Sequence, residues 1–131
     1  MAQGCRSMPI LTVKNVAANI KFYRDGLGFA LAGTWDDKNG TPNFAIVVFD
    51  GITIGLTKDA KAKGSGEHWA GYFYVTDIAA FVDHVEGQGL KLSRRVKDQD
   101  YGCRDCELLD PDGNRLCFGQ DLYPSEAGPG L

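Results

Sequence analysis

The sequence predicts an α+β fold of two tandem βαβββ modules, related by a pseudo-twofold and forming a concave half-barrel cleft. Three observations predict it. Val13-Lys14-Asn15-Val16-Ala17-Ala18 is echoed by Val75-Thr76-Asp77-Ile78-Ala79-Ala80, from 13 to 75 an offset of 62. The same offset carries Asp50-Gly51 onto Asp112-Gly113. Within each half, one helical period is followed by three strand-like stretches.

Each module opens on a short apolar strand, Ile10 to Val13 and Tyr72 to Val75. Asn15 and Asp77 follow as N-caps, side chains that accept a bond from a free amide of the first helical turn. Val16, Ile20, Tyr23 and Leu27 then share one helical face, as do Ile78, Phe81, Val82 and Val85. Glycines 26 and 28, and 87 and 89, are expected to stop the helices in left-handed conformations. The strands of module one are Phe29 to Trp35, Asn43 to Phe49 and Ile52 to Thr57. Asp50-Gly51 reads there as a two-residue type I′ hairpin turn. Those of module two are Leu90 to Val96, Arg104 to Leu109 and Arg115 to Gly119, with the turn Asp110-Pro111-Asp112-Gly113.

The boundaries expected are a single domain over 8–121, with module one at about 8–58, a linker at 59–67 and module two at about 68–121. The stretches 1–7 and 122–131 are expected to be flexible ends. A helix covers one face of a four-stranded sheet, so strand alternation names the residues on the other face. Ile52, Ile54 and Leu56 turn to the first helix, leaving Thr53, Gly55 and Thr57 open. Leu116 and Phe118 turn to the second, leaving Arg115, Cys117 and Gly119 open. Tyr72 and Tyr74 share the open face, and Phe73 and Val75 the helix face. The cavity between such faces is where function is expected.

Bulk properties exclude several classes. A net charge of −3 with no clustered basic face gives no basis for a nucleic-acid partner. No apolar run reaches the roughly 20 residues of a membrane span. The opening Met1-Ala2-Gln3-Gly4-Cys5-Arg6-Ser7 lacks the hydrophobic centre of a signal peptide. A cytoplasmic protein with four reduced cysteines is therefore expected.

The pattern resembles the vicinal oxygen chelate superfamily of glyoxalase I, extradiol dioxygenases, fosfomycin-resistance enzymes and bleomycin-resistance proteins. The residues that carry it are Phe22-Tyr23-Arg24-Asp25-Gly26-Leu27-Gly28-Phe29, Asp110-Pro111-Asp112-Gly113-Asn114 and the 62-residue repeat. Metal-using branches of that superfamily place His, Gln or Glu on the first and last strand of each module. The resemblance puts those positions at Met8, Gly55, Ala70 and Cys117, none of them a usual oxygen or nitrogen ligand. A one-residue slip to Trp69 or Gly71 restores nothing, and His68 lies two residues away. The expectation is therefore no metal and no cofactor, closest to the metal-free bleomycin-resistance-like branch. That branch implies a homodimer binding a large aromatic drug in a dimer cleft. Tyr101-Gly102-Cys103-Arg104-Asp105 resembles the Gly-x-Arg-Glu run of that branch, with Asp105 in place of Glu.

The expected ligand-binding set is Trp35, Phe44, Trp69, Tyr72, Tyr74, Tyr101, Arg104, Arg115 and Cys117. The aromatic residues would stack on a planar organic molecule and direct it through their polar tips. Arg104 and Arg115, aimed into one cavity, would favour an anionic group, while Asp36 and Asp37 at a rim would favour a cation; the sign stays open. Cys117 is a weak nucleophile candidate, with inert packing the alternative. Cys103-x-x-Cys106 reads as structural, because a spacing of three on a strand sends its thiols to opposite faces. His84 reads as solvated and His68 as a surface residue. The function expected is metal-independent binding of a small organic, partly aromatic ligand. A lyase, isomerase or transferase acting on a small metabolite is the alternative.

Overall fold

A computed structural model describes residues 1–124, and the part of the expected flexible end at 122–131 that runs from position 125 onward lies outside the described residues. The chain divides into two units, Met1–Ala62 and Lys63–Leu131.

In the first unit the order is β1 (Ile10–Val13), α1 (Val16–Lys21) running into a π-helical turn at Phe22–Gly26, β2 (Ala30–Asp36), β3 (Pro42–Phe49) and β4 (Ile52–Lys58). The sheet order is β1-β4-β3-β2, with β1 parallel to β4 and the other pairs antiparallel. Asn15 caps α1 as expected, its side chain accepting from the Ala18 amide at 2.9 Å. Val16, Ile20, Tyr23 and Leu27 are buried together. The Leu27 amide donates to the Phe22 carbonyl five residues back, at 3.0 Å, which is the π bond. Phe29 is 2 % exposed and meets Tyr23 edge-on with ring centroids 5.9 Å apart, so it belongs to the core and β2 starts after it.

The second unit has the same design: β5 (Trp69–Tyr74), α2 (Ile78–Gly87), β6 (Arg94–Asp98), β7 (Cys103–Leu109) and β8 (Arg115–Asp121), with sheet order β5-β8-β7-β6. Asp77 caps α2 through the Ala80 amide at 3.0 Å. Phe81 of α2 packs on Phe118 of β8, and Phe118 on Phe73 of β5, with ring centroids 4.4 and 5.4 Å apart. The repeat extends to strand register. Ile10 pairs with Gly55 and Tyr72 with Cys117; 10 to 72 and 55 to 117 both span 62.

Four local expectations are corrected. Gly28 and Gly89 carry the positive φ of the helix ends, whereas Gly26 and Gly87 remain helical. The hairpin between β3 and β4 forms, but Asp50 has the positive φ of 50° and Gly51 does not, so the turn is not type I′. Strand β6 begins at Arg94 rather than Leu90, because the Leu90 amide still bonds the Val85 carbonyl at the end of α2. Strand β5 begins earlier, at Trp69, with an irregularity in register before Gly71. No helix among the described residues is long and apolar enough to cross a membrane.

Candidate functional site

Strand β7 shows how the sequence builds the site. Cys106 and Leu108 are buried, and Cys106 pairs in register with Phe118, which packs on Phe81 of α2, so alternation turns Asp105 and Glu107 to the other face of the second sheet. Both carboxylates are then enclosed by donors from the other strands of the sheet and from the loop between β6 and β7. Asp105 has no exposed side-chain surface. Its Oδ1 accepts from Arg94 Nη2 at 2.5 Å and Gln99 Nε2 at 3.0 Å. Its Oδ2 accepts from the Tyr72 hydroxyl at 3.0 Å and from the Tyr101 hydroxyl in a short bond. Glu107 accepts from Trp69 Nε1 at 3.0 Å and Arg94 Nε at 3.1 Å on one oxygen, and from Arg115 Nη1 at 3.1 Å on the other. Arg94 thus bridges two carboxylates two residues apart on one strand.

Loop contacts complete the frame. The Arg115 amide donates to Ser65 Oγ at 2.8 Å, and Arg115 Nε to the Gly66 carbonyl at 3.0 Å. The segment leading into β5 is thereby tied to β8. Gly64, at φ +78°, lies where a Cβ would strike the Gly113 carbonyl.

The electrostatics follow from this pairing. Burial raises the Asp105 carboxyl, but the bonds from Tyr101, Arg94, Gln99 and Tyr72 outweigh it and hold the group below the usual carboxylate range. Glu107 behaves likewise, burial opposed by Trp69, Arg94 and Arg115. Burial and the adjacent Asp105 push both the Tyr72 and Tyr101 hydroxyls up, so they remain donors. Burial also pushes the Cys106 thiol up to about 12, and raises Cys117 with help from Asp105. Cys117 is fully buried, its Sγ 4.0 Å from Arg94 Nη2, and its thiol is held protonated, the environment of an inert cysteine.

The residues expected at the site divide into three groups. Trp69, Tyr72, Tyr74, Tyr101, Arg115 and Cys117 come together on the uncovered face of the second sheet. Tyr72 is the centre, 5.1 Å from Trp69, 5.0 Å from Tyr74 and 6.4 Å from Tyr101 between ring centroids. Trp35 and Phe44 stand together in the first unit, centroids 5.7 Å apart, with Trp35 over Gly33. Arg104 does not join Arg115. It pairs across β7 and β8 with Gln120, borders the start of α2 with Ile78 and Val82, and is bonded to Asp98 at 2.6 Å. The pair of arginines on one face is instead Arg94 and Arg115, and the sequence reading missed Arg94, Gln99 and Asp105. A signal for Arg104 was present, because it shares the parity of Cys106 and Leu108 and therefore belongs to the helix side. His68 and His84 are both exposed.

A family model described as the Glyoxalase/Bleomycin resistance protein/Dioxygenase superfamily matches residues 7–118. The chain belongs to that superfamily. No curated protein matches it. Among solved structures, a glyoxalase-related enzyme from Clostridium phytofermentans is 20% identical, with a TM-score of 0.77 over 92% of this chain and 97% of that one. TnmS3, an antibiotic binding protein from a Streptomyces species, is 20% identical with a TM-score of 0.74, covering 92% and 98%. A bleomycin resistance determinant encoded on the transposon Tn5 is 18% identical with a TM-score of 0.75, covering 90% and 98%. At these identities the likeness establishes the fold alone.

The metal-using branches of the superfamily require four donors, and the residues here do not fit one. A Cβ at Gly55 would lie 3.0 Å from the Phe44 ring and 3.2 Å from Ile10, so those side chains fill the space a ligating residue would need. Met8 offers a thioether, Ala70 a methyl and Cys117 a buried, protonated thiol. The nearby Asp105 and Glu107 are committed to arginines. No group of three or more His, Cys, Asp or Glu side chains able to hold a metal occurs among the described residues.

Proposed function

We propose that this superfamily member binds a small organic, partly aromatic molecule without a metal, on the uncovered face of its second module, as a cytoplasmic homodimer whose second copy encloses the ligand. One observation carries the reading. Trp69 and Tyr74 stand 45% exposed on a sheet face whose carboxylates are already engaged by arginine, tyrosine, glutamine and indole donors. A surface of this kind is stiff, apolar at its exposed parts and polar only at defined points, the usual make-up of a small-molecule site. Covering such a ring contributes roughly 1.5–3 kcal/mol. Fold relatives described as an antibiotic binding protein and a bleomycin resistance determinant support an organic ligand rather than a macromolecular one.

An acid–base or nucleophilic role is poorly supported. Glu107 is held below its ordinary pKa by three donors and is a weak base, and Cys117 is a protonated, buried thiol. A tryptophan fluorescence titration tests the proposal. In a Trp35→Phe background the emission comes from Trp69 alone, because the chain has two tryptophans. Saturable quenching by polycyclic aromatic compounds, with ligand recovered unchanged, is the expected result. Turnover of the ligand, or no response to any aromatic compound, would overturn it.

A further inference from the structure

The network fixes which polar group of the face remains available to a ligand, and so the charge that the ligand carries. An arginine has five N–H donors. Those of Arg94 are all engaged: Nε on Glu107, Nη1 on the Arg95 and Asp105 carbonyls, Nη2 on Asp105 Oδ1 and beside Cys117 Sγ. Asp105 accepts four bonds and is fully buried; Glu107 accepts three, with 12% of its side chain exposed. Arg115 differs. Its Nε and one Nη1 hydrogen are engaged by Gly66 and Glu107, which leaves three N–H groups without a protein acceptor among the described residues, on a side chain 24% exposed.

Trp69 is the register partner of Arg115 on the adjacent strand. Its indole N–H is held by Glu107, so the ring's polar edge is fixed and its apolar surface is the exposed part. Glu107 therefore positions a guanidinium and an indole side by side. Of the other charges nearby, Lys97 is exposed on β6 and Glu67 is exposed ahead of β5, opposite in sign; Asp121 lies at the far end of β8.

We propose that Arg115 and Trp69 anchor a planar aromatic carboxylate, the free N–H groups of Arg115 taking the anion while the ring lies on the indole. Building on the proposed binding function, this assigns the sign of the ligand: anionic rather than cationic. Asp105, fully bonded and buried, and Glu107, already paired with two arginines, offer a cation little, and Arg115 offers an anion two or more charge-assisted bonds.

The test uses three naphthalene probes that differ in charge and one non-aromatic acid, on the intact protein by calorimetry: 1-naphthoate, 1-naphthamide, 1-naphthylmethylammonium and cyclohexanecarboxylate. The expected order places 1-naphthoate at least about tenfold tighter than the amide, the cost of a lost charged hydrogen bond. The ammonium probe and the non-aromatic acid are expected to be weaker still. Amide or ammonium binding as tight as naphthoate overturns the anchor while leaving aromatic binding intact; no binding by any aromatic probe overturns both. Arg115→Gln is expected to remove the preference for acid over amide, and Arg115→Lys to restore it only in part. Retention of the full preference in a folded Arg115→Gln protein overturns the assignment. Should that variant not fold, the comparison of the four probes on the unaltered protein decides alone.

Discussion

Asp105→Asn is the substitution that bears hardest on the network, because the new side chain has nearly the same shape but loses the charge and turns one acceptor oxygen into an NH2 donor. Asp105 accepts bonds from Arg94, Gln99, Tyr72 and Tyr101, and none of its side chain is exposed. A bond to a charged group contributes about 1.5–3 kcal/mol and a neutral one about 0.5–1.5, so the two bonds kept by the amide oxygen weaken by about 1 kcal/mol each, and the two at the amide nitrogen, where the facing donors must turn or go unpaired, lose about as much. The total, about 4 kcal/mol, agrees with the roughly 3–5 kcal/mol lost when one partner of a buried ion pair is removed. A chain of this length has a stability of roughly 7–20 kcal/mol, so the loss is a large fraction. Urea unfolding at fixed protein concentration gives the free energy, and thermal melting should show a fall of roughly 10 °C or more. Asp98→Asn, which removes the exposed partner of Arg104, is the control and should leave the midpoint unchanged. Equal, small effects from the two variants would refute the claim that Asp105 holds the face together.

Three other outcomes are expected. Asp105 and Glu107 have folded pKa values below their unfolded ones, so their contribution is complete above the unfolded range near pH 4 and disappears as pH falls through the folded values. The melting temperature should be level from about pH 6 to 8 and fall below about pH 4; a rise on acidification from pH 5 to 3 would contradict this. A thiol reagent should modify Cys5 alone in the native protein and all four cysteines after denaturation, since the other three are buried; rapid native modification of Cys117 would revive it as a nucleophile. Gly119→Ala places a methyl group against the Tyr72 hydroxyl and ring, and should cost about 1–3 kcal/mol in urea unfolding; an unchanged midpoint would show that Tyr72 is free to move.

The fold was legible because its signals are local and occur twice. The two cap residues, the two buried helix faces and the strand stretches each follow from spacing alone, and the 62-residue offset then reappears as strand register. The π-helical turn was not legible, because 16, 20, 23 and 27 suit an ordinary helix equally well. The site was legible where alternation decides the face, as for Tyr72, Tyr74 and Arg115. It was lost where register decides. Arg94 reaches Asp105 and Glu107 only because β6 begins four residues later than apolar pattern suggests and pairs irregularly between Arg94 and Lys97. Asp105, seen in sequence as a substituted Glu, is the more fully bonded of the two carboxylates on the face.

The central claim is that binding needs no metal, and a fluorescence titration of chelator-treated protein tests it directly. Aromatic ligand is titrated into protein stripped of metal and into the same protein supplied with zinc, manganese or iron. Saturable quenching of Trp69 with the same dissociation constant in every sample is the expected result. Binding that is absent after chelation and restored by one of the metals would contradict the account and return this chain to the metal-using branches of its superfamily.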